Sequence, residues 1–150
     1  MGKKNVLKTM KGIGNLDYPE IHGVPMIIDD EFGESIHAQV LGDVELLVAT
    51  EILSQRLPIR GAEVAFIRKA LGLSRLEFAK GLHLSDVAVL KWERAASKRL
   101  VPINEIAVRA YFAPRLKVKI PGTFNDLMGV DATPKKLQLQ FPAKSRKLAA

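Results

Sequence analysis

The residues best placed to do chemistry lie in the stretch LSRLEFAKGLHLSDVAVLKWE, residues 73–93. Ser74 and Ser85 each stand where a helix cap belongs, and about three residues separate the two helices they start, the connection length of a helix-turn-helix. In that motif the second helix enters the DNA major groove and the first crosses the backbone. On a helix that starts at Ser85, Ser85, Ala88, Val89 and Trp92 share one side. These small or apolar groups suit packing on Phe78, Ala79 and Leu82, with Trp92 read as a core residue rather than a base-stacking one. The opposite side carries Asp86, Val87, Leu90, Lys91 and Arg94. The chemistry on offer is recognition of base edges: Lys91 can donate to guanine O6 and N7, Val87 and Leu90 can meet a thymine methyl, and Asp86 can accept from cytosine N4. Arg75, Ser85, Arg94, Lys98, Arg99 and the backbone N–H groups of helix starts are the candidates for phosphate contacts.

Other chemistries find little material. The chain has no cysteine, so disulfides, Cys-ligated zinc and a thiol nucleophile are excluded. His22, His37 and His83 are scattered, and no metal site or cofactor is expected. The run Asp29-Asp30-Glu31-Phe32-Gly33-Glu34 lacks the ligand spacing of a calcium loop and reads as a solvated turn. No phosphate-cradling glycine loop, nucleophile elbow or Ser/His/Asp arrangement is present, and the reading is of a protein that is not an enzyme.

The charge distribution points the same way. Residues 1–11 carry four Lys and no acid, residues 12–55 nine acids and no Lys or Arg, residues 56–119 fourteen Lys or Arg against five acids, and residues 120–150 five against two. The middle of the chain is suited to a polyanion, and the acidic segment before it to a different partner. No apolar run approaches a membrane span and no signal peptide is evident, which implies a cytoplasmic protein with no membrane partner.

The elements that must position these residues follow from periodicity. Val24–Ile28 reads as a short strand before an acidic turn. From Gly42, with Asp43 as a cap, Val44, Leu47, Val48 and Ile52 recur at helical spacing until Pro58. GAEVAFIRKALGLS sets Phe66, Ile67, Ala70 and Leu71 on one stripe, with Gly72 as its stop and Ser74 as the next cap. Helices then run from Arg75 to about Gly81, from Ser85 to near Arg94, and from Pro102 to about Phe112. RLKVKI, 115–120, and KLQLQF, 136–141, alternate with period two and predict two half-buried strands. The closing AKSRKLAA is basic, lacks a core pattern and is expected to be mobile. Three regions result: 1–41, an acidic segment with a short strand; 42–113, a helix-turn-helix domain; and 114–150, a β segment with a basic tail.

GAEVAFIRKALGLSRLEFAKGLHLSDVAVLKWE, residues 61–93, resembles the lambda-repressor-like, XRE-type helix-turn-helix family, and within it the antitoxin-type regulators of the MqsA and HigA kind. The resemblance spans about residues 44–112. It rests on Gly61-Ala62-Glu63, Arg68-Lys69, Leu71-Gly72-Leu73-Ser74, Glu77, Ala79, Leu82, Ser85, Val89 and Trp92-Glu93. The chain departs from the family pattern at Arg75, where Gln is usual, and at His83, which replaces the turn Gly and is thereby expected to adopt a strained left-handed conformation. ERAASKRL follows where a Gly would stand, and the zinc-binding cysteines of MqsA-type antitoxins are absent.

The resemblance implies a five-helix helix-turn-helix domain, and with the strands read from periodicity the expected fold is mainly α with a small β element from the N- and C-terminal segments. The resemblance also implies a sequence-specific DNA-binding transcriptional regulator, a repressor that acts as a homodimer on a palindromic operator of double-stranded DNA. The alternative is an antitoxin that neutralises a basic ribonuclease toxin with acidic residues 12–55 and autoregulates its operon.

Overall fold

The computed structural model describes residues 2–132 and 134–143. Along them run β1 (Lys3–Ile13), β2 (Leu16–Asp29), β3 (Gly33–Ser35), α1 (Ala38–Ser54), α2 (Gly61–Ala70), α3 (Arg75–Gly81), α4 (Asp86–Arg94), α5 (Pro102–Leu116), α6 (Phe124–Met128) and β4 (Leu137–Gln140). Strand makes up 24% and helix 45%. The mainly α five-helix expectation is therefore corrected to a mixed α/β architecture, in which the described residues form six helices and a four-stranded sheet. Two units are distinguished, Met1–Val48 with Lys135–Ala150 and Ala49–Pro134, and their boundary falls inside α1. The basic tail from Lys144 onward lies outside the described residues.

In the first unit β1 and β2 form a long antiparallel hairpin, from Lys3 opposite Asp29 to Ile13 opposite Leu16. β3 returns antiparallel along Ile27–Asp29, and β4 pairs in parallel with Pro19–His22. β4 matches the alternation of KLQLQF: Leu137, Leu139 and Phe141 are buried, Gln138 and Gln140 exposed. β1 shows no clear alternation because seven of its eleven residues are exposed and only Ile13 is buried, so no fully buried apolar side imposes a period of two. β2 extends well beyond the expected Val24–Ile28, because Leu16, Tyr18 and Ile21 also contribute buried side chains. α1 starts at Ala38 rather than at Gly42, with Val40, Val44 and Val48 fully buried at i, i+4 spacing.

The fold also rearranges the charge. Lys3 faces Asp29, Lys11 faces Glu20, and Lys8 Nζ lies 2.8 Å from Glu34. Among the described residues, the eight acids of residues 1–48 share their unit with six Lys, at 3, 4, 8, 11, 135 and 136, so most of the acidic charge is offset within it.

The second unit holds α2 to α6. Pro102 opens α5 at a position where its missing N–H has no partner to lose. The expected strand at 115–120 is absent: α5 runs through Pro114 to Leu116, and Lys117 closes it at φ 56. Val118 N then bonds Ala113 O and Lys117 N bonds Pro114 O, the paired bonds of a left-handed helix terminus. Beneath α5 the fully buried Glu105 carboxylate accepts from Arg99 Nε at 2.8 Å and from the Ile59 amide at 3.2 Å. The Arg109 guanidinium, 1% exposed, donates to the carbonyl of Leu53 in the last turn of α1 and to that of Leu57 just after it. Burial pulls its pKa down, and the neighbouring Glu105 opposes that shift.

Candidate nucleic-acid interface

α2 ends at a left-handed Gly72, φ 70, with Leu73 N bonded to Arg68 O and Gly72 N to Lys69 O. The chain thereby reverses into α3 within a few residues. Ser74 and Glu77 form a reciprocal cap there: the Glu77 amide donates to the Ser74 hydroxyl at 3.1 Å and the Ser74 amide to the Glu77 carboxylate at 3.0 Å. The Ser74 amide, and then its hydroxyl, hold Glu77 below the ordinary carboxylate range. α3 closes by the same device as α2, with Leu84 N bonded to Ala79 O and His83 N to Lys80 O. His83 takes the left-handed position at φ 57, as the absence of the turn glycine led us to expect. Ser85 caps α4 by accepting from the Ala88 amide at 3.2 Å.

Two contacts hold α4 from behind. Arg68 of α2 donates to Glu93 through Nε at 2.7 Å and Nη2 at 2.9 Å, while its Nη1 donates to Leu73 O at 2.8 Å. Both side chains are about a tenth exposed, so α2, the α2–α3 turn and the end of α4 are joined through one guanidinium. At the other contact, a Cβ on Gly61 would fall 1.9 Å from Trp92 O, so only glycine lets α2 start this close to α4. The Ala62 amide bonds Ala96 O and the Gly61 amide bonds Lys98 O, so ERAASKRL turns back onto α2 after the helix ends at Arg94. Beneath α3, Phe78 stacks on Phe112 with ring centres 4.8 Å apart.

The predicted side chains divide as follows. Val89 faces inward, fully buried. Val87 is 55% exposed, Leu90 is half-buried, and Lys91, Arg94 and Lys98 are exposed, without an ion pair among the described residues. Ser85 uses its hydroxyl as the cap. Asp86 Oδ1 lies 3.6 Å from Arg75 Nε, so two residues assigned separate contacts stand side by side. Arg99 departs from its expected role as a phosphate contact. Its guanidinium donates to Glu105, to Leu127 O at 2.9 Å and to Val130 O. Trp92 is only half-buried and, with Lys91, Ala95, Lys98, Leu100 and Asn104, lines a cleft of about 240 Å³. Sequence reasoning missed the joint task of Arg68 and Glu93: both stood in the motif, but 25 residues separate them and no local spacing links them.

The ion pairs also sort the charges of residues 56–119. Glu63, Glu93 and Glu105 are turned inward onto Arg60, Arg68 and Arg99, and Arg109 is buried beside Glu105. Ten Lys or Arg then remain on the outside against Glu77 and Asp86. No helix among the described residues is long and apolar enough to cross a membrane. Comparison of the chain with family models, curated proteins and solved structures finds no match.

Proposed function

We propose that this protein binds double-stranded DNA through α3, the His83 turn and α4, with the outer face of α4 in the major groove, and that it regulates transcription as a dimer on a two-fold site. The observation that carries this reading is the segregation of charge in residues 56–119: three of five acids face inward on arginines, and five of the ten remaining cations, Arg75, Lys80, Lys91, Arg94 and Lys98, lie on α3, on α4 or in the turn after it. A surface of this kind attracts phosphate and gains free energy by releasing the counterions condensed on DNA. Lys91, Arg94 and Lys98 supply charge without losing partners of their own. Val87, exposed on the same face, meets a thymine methyl more readily than water. Repression follows from steric exclusion of polymerase at the occupied operator.

The test is selection of bound duplexes from a random pool with the full chain. The reading predicts an enriched motif with two-fold symmetry and half-sites centred about 10 base pairs apart, one helical turn. A pool that enriches no motif refutes it.

A second reading, the antitoxin role, draws on one surface of the sheet unit. Phe32 is 81% exposed in the β2–β3 turn, flanked by Asp30, Glu31 and Glu34. An apolar ring amid acids suits a basic protein partner. Co-purification of a small basic protein, lost on Phe32→Ala, supports this role; a partner retained by that variant contradicts this choice of surface.

A further inference from the structure

The Arg75–Asp86 pair carries an inference that rests on the DNA-binding reading and refines it: we propose that Arg75 reads a guanine in the major groove and that Asp86 is its positioning residue rather than a base contact of its own. The carboxylate sits on the Nε side of the guanidinium, at 3.6 Å, and the two terminal nitrogens of Arg75 make no hydrogen bond to any described residue. Those two N–H groups form the parallel donor pair that matches guanine O6 and N7, and the carboxylate beside Nε, at ion-pair rather than hydrogen-bond distance, draws the guanidinium toward the start of α4 and leaves that pair facing outward.

The fold itself has little use for the pair. The side chains are 41% and 44% exposed, and an ion pair in that setting contributes little to stability. Arg75 also opens α3, where a cation opposes the helix dipole, so local stability does not account for an arginine there. Asp86 opens α4, where the dipole favours a carboxylate. It thus holds Arg75 at the end of the helix that enters the groove, and its own charge is offset where an unpaired carboxylate would repel phosphate. The pairing explains an acid on a DNA-facing surface without requiring it to find a cytosine.

The experiment uses the full chain and the duplex enriched by selection, with each guanine replaced in turn by 7-deazaguanine, which lacks the N7 acceptor. Wild-type protein should lose affinity by about 5- to 100-fold at one guanine per half-site, the range of a bidentate contact. Arg75→Ala should bind more weakly and show no further loss at that position. Arg75→Lys keeps the charge and should retain affinity for scrambled duplex while losing the preference for guanine. Asp86→Asn should weaken that preference and leave binding to scrambled duplex unchanged. Thermal melts check that all three variants are folded, as their exposure predicts. The inference is overturned if Arg75→Ala weakens selected and scrambled duplexes alike and remains sensitive to 7-deazaguanine, since Arg75 then holds a phosphate. It is also overturned if N4-methylcytosine reduces wild-type binding but not that of Asp86→Asn, since Asp86 then reads cytosine directly. A pool that enriches nothing refutes the DNA-binding reading, and this inference with it.

Discussion

Glu93→Ala tests how α4 is held. The substitution removes both acceptors of a bidentate pair and leaves the Arg68 guanidinium with Leu73 O as its remaining partner. Breaking a fully buried pair by removing one member destabilises by about 3–5 kcal/mol, because the surviving charge is stranded away from water. Solvent reaches about a tenth of each side chain, which places the expected loss near the lower end, about 3 kcal/mol, a large part of a typical domain's stability. Urea denaturation of the wild type, Glu93→Ala, Arg68→Met and the double variant Arg68→Met/Glu93→Leu measures it. The double variant should recover at least half of the loss, since no charge is then stranded. A loss below about 1 kcal/mol for Glu93→Ala, or a double variant whose loss equals the sum of the singles, refutes the argument.

His83→Gly should stabilise the protein by about 0.5–1 kcal/mol, the relief of a left-handed non-glycine residue less the entropy of the added glycine; thermal melts measure it, and a loss of stability would mean that the imidazole itself supports the turn. Lys98→Ala should weaken binding to all duplexes alike with the melting temperature unchanged, whereas Arg99→Ala should lower the melting temperature by removing the donor to Glu105, Leu127 and Val130; equal behaviour of the two in duplex titration and melting contradicts the assignment. Asp29, Glu77 and Asp126 are each held below their ordinary values, 3.8, 4.5 and 3.8, chiefly by hydrogen bonds from the backbone amides of Glu31, Ser74 and Thr123. A lowered folded value means that the stabilisation is complete above the ordinary value and is lost as pH falls through the folded one. The melting temperature should thus decline progressively below about pH 4.5, and Glu77→Gln should shrink that decline; an unchanged decline in the variant contradicts the role of its cap.

The α2–α3–α4 segment was legible because its signals are local. Ser74, Ser85 and Gly72 act within a few residues of themselves, and the strain at His83 followed from the identity of one residue. The sheet was less so. β1 has no buried face to impose alternation, and RLKVKI alternates although the helix end at Lys117 occupies it. The proposed interface divided on the same line. The outward direction of Val87 and Lys91 follows from the period of one helix, whereas the withdrawal of Arg99 and the meeting of Arg75 with Asp86 depend on contacts that only the tertiary fold creates.

The central claim is that the outer face of α4 and the turn after it hold DNA. The most direct measurement is the salt dependence of duplex affinity for the wild type and for Lys91→Ala/Arg94→Ala/Lys98→Ala. Each phosphate contact contributes about 0.9 to the slope of log affinity against log salt. The triple variant should therefore bind more weakly at low salt, with a slope shallower by about 2 to 3 and an unchanged melting temperature. A wild type that shows no salt-dependent binding, or a folded triple variant whose slope equals that of the wild type, would contradict the claim.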